Sequence, residues 1–266
     1  MTGKKIILSK WKPGIKESRE DFVAIEEPLQ INLNSNPVSI TMRTPGDDKA
    51  LAIGFFCTEG IIENMAVIEG VHQLDENTVN IILQKDSNIS LNHLQRNFYT
   101  TSSCGVCGKT SVDAIYNKSP FIIKDFVLEV SPQTLIHLHD KLWNVQEAFQ
   151  VTGGIHAAVL FNPSGDYIYH SEDVGRHNAL DKLIGRSLLG EKLPLKNHIL
   201  LLSGRASFEL LQKSAMAGIS FICSVGAPSS LAIELADTLG ITLVGFLKKT
   251  GFNIYTHEHR IISGSA

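Results

Sequence analysis

The last third of the chain alternates short apolar runs with segments of helical periodicity, and this order limits the fold more than any other feature. Strands are predicted over residues 198–202, 219–225 and 241–246, with helices over residues 206–216 and 229–239 between them. A strand–helix–strand–helix–strand order predicts parallel strands joined by right-handed crossovers. The sequence therefore predicts an α/β fold in which three parallel strands end at one edge of a sheet.

The loops that follow these strands are rich in small, hydroxylated or basic residues. The first loop contains Arg205 at the start of a helix, where free backbone N–H groups suit an anion. The third contains Lys248 and Lys249, which by themselves are equally typical of a solvated surface. Neither a P-loop nor a dinucleotide-binding glycine motif is present. Because α/β folds bind ligands at the carboxyl edge of the sheet, these loops together favour a phosphate-bearing ligand.

The first part of the chain is typical of strands joined by turns. Alternating polarity predicts strands over residues 21–27, 29–33, 38–43 and 79–83. A helix over residues 49–59 accounts for Cys57 as a small buried apolar residue. We expect a strand-rich α+β region over residues 1–125 and an α/β domain over residues 126–266.

A long amphipathic helix is predicted to open the second region. Ser131 and Pro132 form a good N-cap and first helical residue, and an apolar stripe runs from Leu135 to Phe149. Paired glycines, Gly153 and Gly154, then end the helix. A β-hairpin follows over residues 156–161 and 167–170.

A C-x-x-C pair, Cys104 and Cys107, lies in a polar, glycine-flanked stretch that predicts an exposed loop. An exposed thiolate is reactive, so sulfur transfer, dithiol redox chemistry and half of a zinc site are all consistent with the pair. A zinc site needs about four ligands, and the sequence has no second C-x-x-C or H-x-x-x-H, so no metal is expected. A thioredoxin-like site is disfavoured because the βαβ pattern lies far downstream.

Composition excludes several classes of protein. The 266 residues carry a net charge of −3, which gives no basic field for nucleic acid or an anionic membrane. Four cysteines are too few for a disulfide framework and fit a reducing compartment. No signal peptide and no membrane-spanning apolar run is evident, so we expect a cytoplasmic protein.

Two further polar residues are candidates for the site. His156 follows the paired glycines, although a single histidine before a strand is more often structural. It begins a His-Ala-Ala string in which Ala158 replaces the catalytic glutamate of zinc deaminases, which excludes hydrolytic deamination. Arg176 lies in a dense polar cluster, where it either binds a phosphate or carboxylate or pairs with Asp173.

These motifs, in this order, resemble the formate dehydrogenase accessory sulfurtransferases, the FdhD family, over nearly the whole chain. A single C-x-x-C would be weak evidence, whereas the ordered series is highly specific. The matching residues are 43–47, 54–55 with 59–60, 102–108, 152–154 with 156, 172–179 with 181–182, 203–205, 224–232 and 246–251.

The resemblance implies a cytidine deaminase-like three-layer core and a sulfur carrier that works as a homodimer. In that family a cysteine desulfurase supplies the sulfur, which is held as a persulfide at the position of Cys104, with Cys107 assisting. The sulfur goes to the molybdenum or tungsten of a bis-molybdopterin guanine dinucleotide cofactor, which is then inserted into formate dehydrogenase. A guanine nucleotide such as GDP is expected to mimic this ligand.

The resemblance also implies where the cofactor binds. One departure from the family is that lysines replace the arginine and glycine expected there, and lysine contacts phosphate as a point charge rather than as a fork. A dithiol oxidoreductase, a zinc-stabilised binding module and a non-catalytic cofactor chaperone remain alternative functions. The expected cofactor-binding residues are Phe246, Leu247, Lys248, Lys249, Thr250 and Gly251, together with His156, Arg176 and Arg205.

Overall fold

The computed structural model of the chain describes residues 3–85 and 119–262, and its N-terminal part contains two separate sheets. Strands β1 and β2 pair only with each other as an antiparallel hairpin, whereas the next strands form a sheet of order β4-β3-β6-β5. The elements are β1 (Lys4–Lys12), β2 (Ile15–Val23), β3 (Glu27–Leu33), β4 (Asn36–Arg43), α1 (Asp48–Thr58), β5 (Ile68–Asp75) and β6 (Thr78–Leu83). The single strand predicted over residues 21–27 is wrong, because the chain passes from one sheet to the other there.

The remaining part of the chain forms a six-stranded sheet with helices on both faces. Its order is β12-β11-β10-β9-β7-β8, and β9, β10 and β11 run parallel as predicted. Strand β7 is antiparallel to both of its neighbours. The elements are α2 (Pro132–Val145), α3 (Glu147–Thr152), β7 (His156–Phe161), β8 (Tyr167–Asp173), α4 (Arg176–Leu189), β9 (Ile199–Leu202), α5 (Phe208–Met216), β10 (Phe221–Ser224), α6 (Ser230–Leu239), β11 (Thr242–Lys248) and β12 (Gly251–Thr256).

The predicted long helix before β7 is divided in two. Its start is confirmed: the Ser131 hydroxyl accepts a hydrogen bond from the Thr134 amide at 3.0 Å, and Pro132 is the first helical residue. The helix breaks at Gln146, whose ψ of 64° is not helical. The second helix ends at Gly153, which has a φ of 67° and so uses the conformational freedom of glycine.

The six-stranded sheet is the middle of three layers. Helix α2 packs on one face through Leu135, Leu138 and Leu142, and α4, α5 and α6 cover the other face. This confirms the predicted α/β class, while the specific likeness to cytidine deaminases stays a prediction. None of the helices in the described ranges is long and apolar enough to cross a membrane.

Helices α1 and α4 cross closely enough to join the two regions. A Cβ atom at Gly54 would lie 1.8 Å from the Asp181 carbonyl oxygen, and one at Gly185 would lie 1.9 Å from the Ala50 carbonyl oxygen. Both positions therefore require glycine. This contact brings the four-stranded sheet β4-β3-β6-β5 against α4. Leu29 of β3 therefore belongs to the same buried cluster as Leu200 of β9.

Candidate functional site

The topology gathers the candidate residues of the C-terminal region at the carboxyl edge of strands β9, β10 and β11. Because β7 is antiparallel to β9, its first residue, His156, lies at the same edge as Ser203. The Ala157 amide donates to the Ser203 hydroxyl at 2.8 Å, and the Ser203 amide donates to the Ala157 carbonyl at 3.0 Å. Strand β8 ends opposite His156 at Asp173, which places the N-terminus of α4 and Arg176 at this edge too.

His156 is partly buried between the backbone and charged groups. A Cβ atom at Gly204 would lie 3.2 Å from the imidazole Nδ1, so the glycine gives the ring room to approach the strand-end loop. Burial lowers the pKa of His156 below its ordinary value, Arg176 lowers it further, and Asp173 acts in the opposite direction. The imidazole is therefore neutral at pH 7 and can donate or accept a hydrogen bond.

Asp173 is fully buried and holds two parts of the chain together. Its Oδ2 lies 2.7 Å from the Lys182 Nζ and accepts from the Thr44 amide at 3.1 Å. The Lys182 Nζ also donates to the Thr44 carbonyl at 2.7 Å. Lys182, which the sequence analysis did not single out as a partner, thus neutralises Asp173 and fixes the loop after β4 against the start of α4.

Arg176 is therefore not the ion-pair partner of Asp173, and that alternative is wrong. Its Nε is buried and has no hydrogen-bond partner within the part of the chain that the structure describes. A buried guanidinium N–H without a partner is costly, so this atom is available to an acceptor brought by a ligand.

The strand-end loops are connected by backbone hydrogen bonds. The Gly226 amide donates to the Gly204 carbonyl at 2.9 Å, and the Phe246 amide donates to the Gly226 carbonyl at 3.2 Å. A Cβ atom at Gly226 would come within 3.0 Å of the Arg205 amide nitrogen, so the close approach of these loops depends on glycine. The side chain of Arg205 is exposed above them.

The stretch expected to bind the cofactor is a hairpin and not a loop. Strand β11 continues to Lys248, and only Lys249 and Thr250 separate it from β12, because pairing with β12 extends the strand past the sheet edge. Phe246 has a φ of 53° and an exposed side chain, a strained conformation for an aromatic residue. Leu247 is buried in the core, so its side chain is not accessible at this edge.

The other members of this stretch surround Phe246 on the surface. Lys248, Lys249 and Thr250 are exposed and Gly251 begins β12. The Lys249 ammonium lies 2.8 Å from the Asp140 carboxylate of α2, and both side chains are well exposed. Lys249 is thereby directed toward α2, while Lys248 has no ion pair among the described residues.

A cavity of about 390 Å³ lies beside His156, between α2, α3 and the strand ends. We call it the α2–α3 cleft. Sequence reasoning missed it, since the apolar stripe assigned Phe149 to the core and no local pattern marks Trp143 or Gln146. The lining residues are His139, Leu142, Trp143, Gln146, Phe149, Gly153, Gly154, Ile155, His156, Ser203 and Val225.

The two described cysteines are not reactive thiols. Burial raises the pKa of Cys57 to about 12, and burial also raises the pKa of Cys223. Neither is therefore a thiolate at neutral pH. Cys104 and Cys107 lie outside the described residues. Within residues 3–85 and 119–262, no three His, Cys, Asp or Glu side chains are grouped so as to hold a metal ion.

A model of the FdhD/NarQ family matches residues 24–262 of the chain. The chain belongs to the FdhD/NarQ family. The match confirms the resemblance inferred from the motifs. It begins after the β1–β2 hairpin, so the hairpin lies outside the part that defines the FdhD/NarQ family.

Relatives of this FdhD/NarQ member carry the name sulfur carrier protein FdhD. The protein of Streptomyces avermitilis is 47% identical over 260 residues, covering 94% of this chain and 92% of its own length. That of Picrophilus torridus is 47% identical over 246 residues, covering 91% and 92%. That of Saccharolobus solfataricus is 43% identical over 244 residues, covering 91% of each.

The fold of this FdhD/NarQ member is similar to a solved structure. A protein from Desulfotalea psychrophila, described as a formate dehydrogenase accessory protein, superposes with a TM-score of 0.76. The match covers 98% of this chain and 99% of that one, at 23% sequence identity. This likeness concerns the fold alone.

Proposed function

We propose that the chain is a sulfurtransferase that carries sulfur as a persulfide on Cys104 and delivers it to a metal-bound pterin cofactor. The donor is a cysteine desulfurase, and the acceptor is the molybdenum or tungsten of a bis-molybdopterin guanine dinucleotide destined for formate dehydrogenase. The observation that carries the proposal is the single edge at which His156, Arg176 and the strand-end loops meet. The names of relatives at 41–47% identity support the sulfur-carrier role.

Sulfur loading is a thiol exchange in this proposal. The Cys104 thiolate attacks the outer sulfur of the donor persulfide, the donor S–S bond breaks, and the donor leaves as a thiolate. The step consumes no oxidant or reductant. Because Cys57 and Cys223 are buried with raised pKa values, Cys104 and Cys107 are the thiols left for this chemistry.

Delivery uses the second cysteine. Attack of the Cys107 thiolate on the inner sulfur of the Cys104 persulfide releases the outer sulfur as hydrosulfide and leaves a Cys104–Cys107 disulfide. The two electrons that reduce the sulfur come from the thiol pair, so the metal receives sulfide with no change in its own oxidation state.

The carboxyl edge supplies what the nucleotide part of the ligand needs. A diphosphate requires cationic groups and free N–H donors. This edge has the exposed Arg205, the exposed Lys248 and the Arg176 Nε, which has no hydrogen-bond partner within residues 3–85 and 119–262. Phe246 adds an exposed aromatic ring at this edge. GDP is therefore expected to compete with the full cofactor here.

The two guanine nucleotide ends of the ligand also suit binding by two copies of the chain. A bis-nucleotide ligand has a pseudo-symmetric pair of guanine ends, and a twofold dimer presents two equivalent edges. We include a homodimer and the reducing cytoplasm in the proposal, the second because a persulfide carrier needs free thiols.

Chain length is compatible with a meeting of Cys104 and this edge. The first described residue after Cys104 is Ser119, fifteen positions later, and its hydroxyl donates to the Ala215 carbonyl at 2.8 Å in the last turn of α5. Fifteen extended residues span at most about 50 Å, whereas the helix between Ser119 and the edge is only about 14 Å long.

The test is to incubate the protein with a cysteine desulfurase and cysteine and to locate added sulfur by mass spectrometry. We expect one added sulfur on Cys104, no added sulfur in Cys104→Ala, and loading without efficient release in Cys107→Ala. Cys223→Ala is the matched control and should load normally. Absence of any adduct on either cysteine contradicts the proposal, and insulin-type reductase activity without sulfur loading instead identifies a dithiol oxidoreductase.

A further inference from the structure

The far end of the β1–β2 hairpin combines exposed apolar side chains with basic ones. We call residues 10–16 the hairpin tip. Trp11 is 72% exposed and Ile15 is 59% exposed. Three lysines lie in the same seven residues, and among the described residues only Lys12 of the three forms an ion pair, with Glu17 at 3.1 Å. A large indole and a branched apolar side chain beside cations are typical of a surface that binds a partner.

A surface of opposite charge lies on the four-stranded sheet. Arg43 joins its parts, since its Nη1 donates to the Glu27 carboxylate at 3.3 Å and its Nη2 donates to the Glu76 carbonyl at 2.9 Å. These contacts bring together the start of β3, the end of β4 and the turn between β5 and β6. We call the exposed side chains gathered there the acidic patch, which consists of Glu26, Met42, Leu74, Asp75 and Glu76.

The charge of the acidic patch is not balanced within the part of the chain that the structure describes. Glu26, Asp75 and Glu76 form no ion pair there, and the buried Arg43 already pairs with Glu27 and Asp48. Residues 24–85 contain nine acidic and three basic residues, whereas residues 4–23 contain six basic and three acidic ones. The hairpin and the region that follows it therefore carry net charges of opposite sign.

The hairpin tip cannot reach the acidic patch of its own chain. Strand β2 runs over nine residues from Ile15 to Val23, all paired with β1, which is about 30 Å at about 3.3 Å per residue. Glu26 follows Val23 by three residues, which span at most about 10 Å. The root of the hairpin packs on α3, where a Cβ atom at Gly3 would lie 2.8 Å from the Thr152 side chain. The tip and Glu26 are therefore about 20 Å or more apart.

We propose that the hairpin tip of one copy binds the acidic patch of a second copy of the chain, and that the second copy does the same in return. Because tip and patch lie at opposite ends of one arm, a twofold axis across two hairpins brings both pairs into contact at once and closes the dimer. Lysines opposite carboxylates set the register, and Trp11 and Ile15 meet the apolar side chains of the patch.

Charge complementarity favours a second copy over an anionic lipid surface as the partner. Lipid headgroups would attract the tip lysines, but they would leave the exposed carboxylates of the patch without a role. A second copy supplies a match for both surfaces. The inference rests on the proposed function for the use of a homodimer, and it adds the surface that forms the dimer.

The experiment mixes equal amounts of full-length protein with and without ¹⁵N label and treats the mixture with a carbodiimide. This reagent joins a lysine amine directly to a carboxylate, and mass spectrometry locates the links. We expect links from the hairpin tip to Glu26, Asp75 or Glu76 that join a labelled peptide to an unlabelled one, since such links form only between two copies. Sedimentation should give the mass of two chains at micromolar concentration and of one chain in about 1 M salt, which screens the charges.

Charge reversal tests the contact from both sides. Lys10→Glu with Lys16→Glu should weaken the dimer about tenfold or more, and Asp75→Lys with Glu76→Lys should do the same. All four changes together should restore most of the lost affinity, because the opposite charges again face one another.

Two further variants separate the tip from the rest of the hairpin. Trp11→Ser removes the exposed indole and should also weaken the dimer about tenfold or more. Ile7→Ala is the matched control, since Ile7 is an exposed apolar residue midway along the same hairpin, and it should leave the dimer unchanged. These variants change exposed side chains, so they test the contact and not the folding of the chain.

The outcomes separate this inference from the sulfur chemistry. A single chain at every concentration, or a dimer whose mixed-label links lie outside the tip and the patch, overturns the inference even if Cys104 loads sulfur normally. A single chain that sediments with phosphatidylserine vesicles through its tip also overturns it and assigns the tip to a lipid surface. The expected links with rescue by charge reversal support it even if Cys104 never carries sulfur, in which case the sulfur-carrier proposal alone is wrong.

Discussion

The charge of single side chains at the carboxyl edge is set by neighbours from distant parts of the chain. Asp173 is fully buried, and the ammonium of Lys182 at 2.7 Å balances it. Arg176, only three positions from Asp173, instead acts on His156 by lowering the pKa of its imidazole. Among the described residues the Arg176 Nε has no hydrogen-bond partner, and the guanidinium lies close enough to act on the neutral His156 imidazole, which suits binding of an anion next to a hydrogen-bonding group.

We expect the pKa of His156 to lie below its ordinary value of 6.5 and to rise in Arg176→Gln. Removing the guanidinium removes a positive charge that opposes protonation of the ring. NMR titration of the imidazole protons measures this. The control is Arg186→Gln, which should raise the pKa of His170 and leave His156 unchanged.

The lowered pKa of His156 also determines how the stability of the folded protein changes with pH. Because the folded state disfavours the charged imidazole, the stability contributed by His156 is fully present above pH 6.5 and is lost as the pH falls below 6.5 through the lower pKa of the folded state. A pKa of His156 that is above 6.5, or that does not respond to Arg176→Gln, contradicts this account.

Among the elements, the crossing of α1 over α4 decides how the two regions fit together. The helices touch through Gly54 and Gly185, each against a carbonyl oxygen of the other helix. Lys213 of α5 adds a buried link, donating to Thr58 at the end of α1 at 2.8 Å and to Asp181 of α4 at 2.9 Å. Close packing thus fixes α1 against α4, and the charged network joins both helices to α5.

We expect Gly185→Ala to destabilise the protein by about 3 kcal/mol or more. In an open helix position the change would stabilise by about 1 kcal/mol through helix propensity, but here the new methyl meets the Ala50 carbonyl, which cannot rotate away. Urea denaturation measures the difference.

The matched control is Gly190→Ala at the end of the same helix. The nearest atom to a Cβ there is 3.5 Å away, an ordinary contact, so its free energy of unfolding should change little. Equal stabilities for the two variants would show that the α1–α4 contact is looser than described.

In the whole molecule, one cluster of buried side chains crosses the boundary predicted near residue 125. Leu29 and Val79 come from the four-stranded sheet, and Leu200 and Ile222 come from the six-stranded sheet. When the protein unfolds, buried side chains that pack in one cluster lose their contacts together. The two regions are therefore expected to act as one folding unit, with the β1–β2 hairpin outside it.

We expect full-length protein to unfold in a single calorimetric transition. Leu29→Ala and Leu200→Ala should each lower the midpoint of that same transition, since truncating a fully buried leucine costs about 2–5 kcal/mol. Ile7→Ala, at an exposed position of the hairpin, is the control and should leave the midpoint unchanged. Two transitions, each moved by only one of the leucine variants, would instead support two independent domains.

Features that depend on neighbours along the chain were predictable. The alternation of strands and helices after residue 198, the N-cap at Ser131 and the helix end at Gly153 all follow from periodicity and local backbone preference. The shared carboxyl edge also followed, because parallel strands with short crossovers necessarily end together. The extension of β11 to Lys248 was not predictable, since it depends on pairing with β12.

The sequence by itself determined the α/β class, the family and the edge at which Arg205 and Lys248 lie, whereas the pairing of β7 with β9 decided that His156 joins that edge. Only the tertiary structure decided that Asp173 pairs with Lys182 and that Trp143, Gln146 and Phe149 enclose a cleft with His156. The physical reason is the distance along the chain over which each kind of interaction acts. Propensity and periodicity act over a few residues, whereas ion pairs and cavities arise where separate elements pack, and that packing follows from the whole chain.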